Sequence, residues 1–253
     1  MAITDLIPIP DSINPGVTNA RQSTMLSLLG NPRDDYTDEC QPLTNPRLSA
    51  LVVFDSVGAF RVLGLQPAVT ALRSIIEEIA TAAPAVHAGL GTAGMLCARL
   101  VRGSTHSISN HSWGTAIDLT LNGVLDRRGD RMVQRGLAEI APVFNEHGWF
   151  WGAGFGTEDA MHFEAGDELI RRWHTEGRFS TRGPTPPPLL MVGDRGPEVV
   201  TLQQRLKDLG SQLSVDGIFG TGTRAAVMTF QAAHDLIADG VVGPRTRTAL
   251  GLT

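Results

Sequence analysis

The chain has 253 residues, long for one compact domain and ample for a medium domain plus a small one. Hydrophobic residues make up 42% and charged residues 19%, a balance able to build a core, and a formal net charge of -5 excludes nucleic acid or an anionic membrane held by charge. Two cysteines, Cys40 and Cys97, are too few for a disulfide scaffold. They could pair once, but free cysteine behaves as a small hydrophobe, so two buried thiols are the expectation.

The opening stretch, MAITDLIPIPDSINPGVTNA, has neither a basic region nor a continuous apolar run, so it does not read as a secretory signal. No stretch approaches the roughly 18 apolar residues that span a bilayer. A monomer made in the cytoplasm is expected, without a membrane or nucleic-acid partner. Residues 1–45, rich in Asn, Pro, Asp and Thr, read as an irregular arm. Leu51–Phe54 and Phe60–Val62 then suit short strands. From Pro67, residues Val69, Leu72, Ile75, Ile76 and Ile79 recur at helical spacing until Pro84. Thr115–Leu121 alternates like a strand. A second helix is predicted from about Arg131 to His147, with Gly148 as its stop and Pro142 expected to kink it or end it early. His162–Glu164 suits a last strand and Glu168–His174 a closing helical turn. Helices and short strands without a βαβ rhythm predict an α+β domain over residues 46–180, built on a small antiparallel sheet.

The run Gly183-Pro184-Thr185-Pro186-Pro187-Pro188 marks a Pro-rich linker over residues 181–189, extended because proline locks φ and removes a donor. Residues 190–253 carry an internal repeat. Asp216-Gly217-Ile218-Phe219-Gly220 with Thr223-Arg224 returns as Asp239-Gly240-Val241-Val242-Gly243 with Thr246-Arg247. Each copy offers an Asp-Gly turn and a Thr suited to capping the next helix. Val199, Leu202, Leu206 and Leu209 mark an amphipathic helix before the first copy, and Val227, Met228 and Phe230 another between the copies. A small all-α bundle of three helices is predicted. It has no metal-ligand cluster and no nucleophile, which suggests a binder.

Chemistry concentrates elsewhere. His111 precedes the strand that contains Asp118, and His162 follows Glu158 and Asp159. Two imidazoles and one carboxylate are a usual catalytic zinc set, with water in the fourth position. Zinc lowers the pKa of that water to about 7. A nearby carboxylate must then carry the proton to the leaving amine, and Asp159 stands close enough in sequence. Taken singly, the residues are weaker. His111 in an Asn-His-Ser turn suits a cap, and His162 between Met161 and Phe163 suits a core histidine. Asp118 in an apolar strand needs a partner or a metal. Trp113, Trp149 and Trp151 are expected in the core rather than along a substrate pocket. His106 and His147 read as surface residues, and Glu164 as a support for His162.

Ser109, His111, Gly114, Ala116 and Asp118 meet every specified position of the SxHxxGxAxD signature. The stretch therefore resembles the zinc D-alanyl-D-alanine carboxypeptidase and L-alanyl-D-glutamate endopeptidase family. The second half of the family pattern, a carboxylate shortly before a histidine, is met by Asp159 and His162. The resemblance implies that His111, Asp118 and His162 bind Zn2+ and that Asp159 is general base and acid. Aspartate at that place resembles the endolysin-like branch. The family also places an arginine upstream to hold the substrate carbonyl or oxyanion. Arg99 and Arg102 both stand there, and the spacing of Arg99 from Gly103 fits better.

The last sixty or so residues resemble the peptidoglycan-binding module of wall hydrolases. The match runs from Gly193-Asp194-Arg195-Gly196 through Leu202-Gln203, Asp216–Gly220 and Phe230-Gln231 to Asp239–Pro244. Together the resemblances imply a zinc peptidase acting on bacterial peptidoglycan, tethered to that polymer. An L-alanyl-D-glutamate endopeptidase is expected, released by lysis or dedicated export. A D,D-carboxypeptidase and a catalytically silent wall-binding protein are the alternatives.

Overall fold

In the computed structural model, the described residues are 2–180, 189–234 and 236–252. The linker expected over 181–189 falls almost wholly outside them. Two compact units are present, Met1–Gly183 and Pro184–Thr253.

The first unit runs β1 (Leu6–Pro8), α1 (Gln22–Leu29), α2 (Pro46–Ser49), β2 (Val52–Ser56), β3 (Arg61–Leu65), α3 (Gln66–Ala82), α4 (Pro84–Gly89) and β4 (Leu90–Gly94). It continues with β5 (Ala116–Leu121), β6 (Met132–Gln134), α5 (Arg135–Glu146), β7 (Trp149–Trp151), β8 (His162–Ala165) and α6 (Asp167–Thr175). The largest sheet is antiparallel, in the order β4-β5-β8-β7. Successive side chains on a strand point to opposite faces. Ile117, Leu119 and Leu121 on β5 and Phe163 and Ala165 on β8 accordingly enter one core with Leu72, Ile76 and Ile79 of α3 and Leu137, Ile140 and Phe144 of α5. The opposite face carries Ala116, Asp118, His162 and Glu164.

Three expectations change here. Residues before Pro46 are not irregular throughout, because β1 pairs with β6 and α1 buries Met25 and Leu29 in the main core. The same arm covers the edge strand β7: Asn14 Oδ1 accepts from Trp151 N at 2.7 Å and its Nδ2 donates to Trp151 O at 2.9 Å. An unpaired sheet edge is thus satisfied by a side-chain amide. The second predicted helix starts only at Arg135, since Met132–Gln134 is taken by β6. Pro142 lies inside α5 without ending it, and the buried face of Leu137, Ile140, Ala141 and Phe144 holds the helix on both sides. Finally, Cys40 and Cys97 form a disulfide, and neither is buried. Gln41 N donates to Ala98 O at 3.0 Å, bringing the neighbouring Cα atoms to 5.0 Å, within bridging range.

The second unit holds α7 (Pro197–Asp208), α8 (Thr221–Ala233) and α9 (Pro244–Leu250) around Val199, Leu202, Leu206, Phe219, Val227, Phe230, Val242 and Leu250. The repeat has a physical centre that the residue spacing did not reveal. Buried Gln203 donates through Nε2 to Asp216 Oδ1, Ile218 O and Thr223 Oγ1 at 2.8–3.0 Å, and its Oε1 accepts from Gly217 N at 2.8 Å. Gln231 does the same with Asp239, Val241, Thr246 and Gly240 at 2.9–3.1 Å. Thr223 and Thr246 are therefore not the helix caps that the sequence predicted. The caps are Gly220 and Gly243, and each threonine hydroxyl is drawn inward to its glutamine.

Candidate active site

His111 sits in a single 3-10 turn, Asn110–Trp113, closed by Gly114 in the left-handed region at φ 66°. A Cβ at Gly114 would lie 2.7 Å from Leu65 N and 3.0 Å from Gly64 Cα, where β3 crosses the turn. The glycine is thus required twice, by backbone sign and by backbone contact. Gly114→Ala is expected to destabilise the first unit by about 2–4 kcal/mol, measured by denaturant unfolding. A loss below about 0.5 kcal/mol would refute this reading of the glycine.

Asp118 and His162 meet for a different reason. They are directly opposed residues of the antiparallel pair β5–β8 and share a face, as do Ala116 and Glu164 one step along. The three candidate ligand atoms converge. His111 Nε2, His162 Nδ1 and Asp118 Oδ1 are each 3.2 Å from the other two. The remaining ring nitrogens are spoken for: His111 Nδ1 donates to Met95 O at 2.7 Å, and His162 Nε2 donates to Glu164 Oε2 at 2.9 Å. Those bonds set the tautomers of the neutral rings, in which His111 Nε2 and His162 Nδ1 present lone pairs beside the Asp118 carboxylate. Ligands arranged tetrahedrally at zinc–nitrogen distances of about 2.0–2.1 Å would stand about 3.3 Å apart, so the set fits a cation of that kind. Burial pushes the Asp118 carboxyl up, but the hydrogen bonds and charges of both imidazoles overcome this and hold it well below the usual carboxylate range. Burial lowers the His162 pKa, and the bonds to Asp118 and Glu164 outweigh it, carrying the ring up to about 10 in the metal-free chain.

Glu164 is only 2% exposed, and two further donors hold it: Asn110 Nδ2 at 2.9 Å and Ala20 N at 3.0 Å. The N-terminal arm therefore reaches the support of His162. Nothing local in the sequence marks Ala20, because a backbone N–H has no residue signature.

Asp159 lies beside the cluster on a turn fixed by backbone bonds from its N to Gly152 O at 2.9 Å and from His162 N to its O at 3.0 Å. Its Oδ1 is buried without a hydrogen-bond partner, and its Oδ2 is 3.6 Å from Arg128 Nε. Burial raises the Asp159 pKa, against the attraction of His162. Arg99 and Arg102 both line the same cavity of about 700 Å³. Segment 97–100 is laid along the His111 turn, with Cys97 N on His111 O at 3.0 Å and Arg99 N on Ser112 Oγ at 3.1 Å. Burial lowers the Arg99 pKa, with the nearby charge of Arg102 adding to it. Trp113, Trp149 and Trp151 are fully buried core residues. The aromatic side chain lining the cavity is Phe155, its ring 5.6 Å from that of His162. His106 is exposed, and His147 pairs with Glu78 at 2.9 Å, neither lining the cavity.

Sequence reading missed Arg128 and its loop, residues 122–131 between β5 and β6. Buried Asp126 roots that loop by accepting from Gln134 N at 2.5 Å, while its Oδ1 has no partner. Burial raises the Asp126 carboxyl to about 6, with the negative charges of Asp130, Asp159 and Glu158 adding to it. The unfolded value is about 3.9, so the folded state holds the proton more tightly and stability is lost as pH rises from about 4 to about 6. Relative to the wild type, Asp126→Asn should lack a fall of about 1–2 kcal/mol across that window. Parallel unfolding curves for the two chains at pH 4 and pH 7 would disprove it.

Residues 102–165 match the family described as D-alanyl-D-alanine carboxypeptidase, and residues 195–250 the family described as putative peptidoglycan binding domain. The chain is similar to a zinc D-Ala-D-Ala carboxypeptidase of Streptomyces albus G, 47% identical over 60 residues, covering 22% of this chain and 24% of the relative. It is also similar to the N-acetylmuramoyl-L-alanine amidase CwlM of Mycobacterium tuberculosis, 48% identical over 56 residues, covering 22% and 14% of the two chains. The chain thus spans a quarter or less of the length of these curated relatives. Among solved structures, a Burkholderia phage endolysin matches with 50% identity over 24% of each chain and a TM-score of 0.24.

Proposed function

We propose that this chain, which carries a domain of the D-alanyl-D-alanine carboxypeptidase family followed by one of the peptidoglycan-binding family, is a zinc-dependent peptidase cutting the peptide of bacterial peptidoglycan. The observation that carries the reading is the set of three mutually facing ligand atoms on His111, Asp118 and His162, with the half-buried carboxylate of Asp159, whose Oδ1 has no hydrogen-bond partner, beside it. These three residues would hold the ion. When bound, zinc supplies a Lewis acid and a water that loses its proton near neutral pH. Asp159 takes the proton from the attacking water and returns it to the leaving amine. Arg99 faces the oxyanion that develops on the scissile carbonyl. Glu164 holds the His162 ring in the orientation and tautomer that leave Nδ1 free.

The bond we assign is L-Ala–D-Glu. The aspartate at position 159 favours it over release of terminal D-Ala. The carboxypeptidase reading is supported instead by the description of the matched family and by the Streptomyces relative. Digestion of purified peptidoglycan with chelator, and again after zinc is restored, separates them by mass spectrometry of the fragments. New N-terminal D-Glu, suppressed by chelator, supports the endopeptidase; loss of single alanines supports the carboxypeptidase. No product from walls of several chemotypes would refute both.

The second unit has its own core and its own hydrogen-bond network, which supports a separate role as the wall tether. Ending the chain at Pro188 should lower retention on sedimented peptidoglycan at least about tenfold while sparing hydrolysis of a small soluble peptide. Equal loss of both would show that the units do not act independently.

A further inference from the structure

The cavity differs in charge from the chain around it. The whole sequence carries a formal net charge of -5, yet three arginines, Arg99, Arg102 and Arg128, line the cavity against three carboxylates, Asp118, Asp159 and Glu164. Two of those carboxylates are already engaged. Asp118 Oδ1 lies 3.2 Å from a ring nitrogen of each imidazole, and Glu164 accepts from His162, Asn110 and Ala20. A divalent cation at the histidines leaves the loaded cavity with surplus positive charge. Its complement is an anionic substrate.

Arg128 is the arginine best placed to read that charge. Its side chain is 38% exposed, and its contact with Asp159 is made through Nε at 3.6 Å. Among the described residues it has no other hydrogen-bond or ion-pair partner, so the paired Nη donors remain for an incoming group. The loop that carries it is tied to the turn that carries Asp159. Buried Glu158 accepts from Arg131 N at 2.5 Å through Oε1 and from Gly129 N at 3.2 Å through its carbonyl. Arg128 is thereby held at a set distance from the group that protonates the leaving amine.

We propose that Arg128 is a specificity residue that binds a free carboxylate on the substrate residue supplying the leaving amine. The proposal rests on the peptidase reading above and deepens it. A guanidinium fork matches a carboxylate bidentately, whereas a primary amide in the same place turns an N–H donor toward N–H donors. The enzyme therefore discriminates between stem peptides whose D-glutamyl α-carboxylate is free and those in which it is amidated.

The test uses the full chain loaded with zinc and two soluble peptides. Both are L-alanyl-γ-D-glutamyl-L-lysine amides, one with the glutamyl α-carboxylate free and one with it as the primary amide. The wild type is expected to favour the acid by about 10–100-fold in kcat/KM. In Arg128→Gln the ratio should fall to within about threefold, through a higher KM for the acid, and Arg128→Lys should restore part of it. If Arg128 served only to position Asp159, kcat would fall on both peptides by one factor and the ratio would stand, which overturns the proposal. So would a wild type that treats the peptides alike. A wild type that cleaves neither refutes the endopeptidase reading alone. Calorimetric affinities of the two peptides for the wild type and Arg128→Gln then decide for Arg128, and equal wild-type affinities sink it.

Discussion

His111→Ala should lose bound zinc and hydrolytic activity together, by well more than the roughly 10–100-fold that loss of an outer supporting partner costs. The substitution removes one of three donors that stand 3.2 Å apart, leaving a carboxylate and one imidazole on the β5–β8 pair. Two ligands on a half-buried floor cannot hold the ion against water and chelator. The fold should survive, because the turn that carries His111 is set by backbone bonds and by Gly114, not by the imidazole. The measurement is metal content per chain by emission spectrometry, beside circular dichroism and hydrolysis of purified wall. A variant that keeps one zinc per chain would remove His111 from the ligand set.

Asp159→Ala should separate binding from turnover. Metal content should match the wild type, and kcat should fall about 100- to 10,000-fold, the range expected when a positioned proton carrier is lost. The backbone of residue 159 anchors the turn through Gly152 O and His162 N, so truncating the side chain leaves His162 in place. Gly152 makes that close approach feasible, since a Cβ there would stand 2.5 Å from Asp159 O. Loss of zinc along with activity would mean that Asp159 is a ligand, and full activity would mean that the proton travels by another group.

Much of the architecture was legible because its causes are local. Alternation over Thr115–Leu121 put Asp118 on the face opposite Ile117 and Leu119, and β5 runs Ala116–Leu121. Apolar spacing after Pro67 marked a helix found as Gln66–Ala82. The misreadings share another character. Met132–Gln134 was read as helix because its partner strand, Leu6–Pro8, lies more than a hundred residues upstream. Thr223 and Thr246 suited caps by residue type, but buried glutamines from the preceding helix claimed their hydroxyls. Cys40 and Cys97 are 57 residues apart, and backbone bonds such as the bridge between Gln41 and Ala98 bring them together.

The candidate site divides along the same line. Sequence alone singled out His111, Asp118, Asp159 and His162, because each belongs to a short pattern whose residue types suit metal chemistry. Gly114 entered only as one position of the signature, and the structure shows its positive φ. Only the tertiary structure decided that Asp118 faces His162 across a strand pair, that Ala20 of the N-terminal arm supports Glu164, and that Arg128 stands at Asp159. Strand register and loop placement follow from long-range burial of apolar faces, and no local pattern records which distant partner completes them.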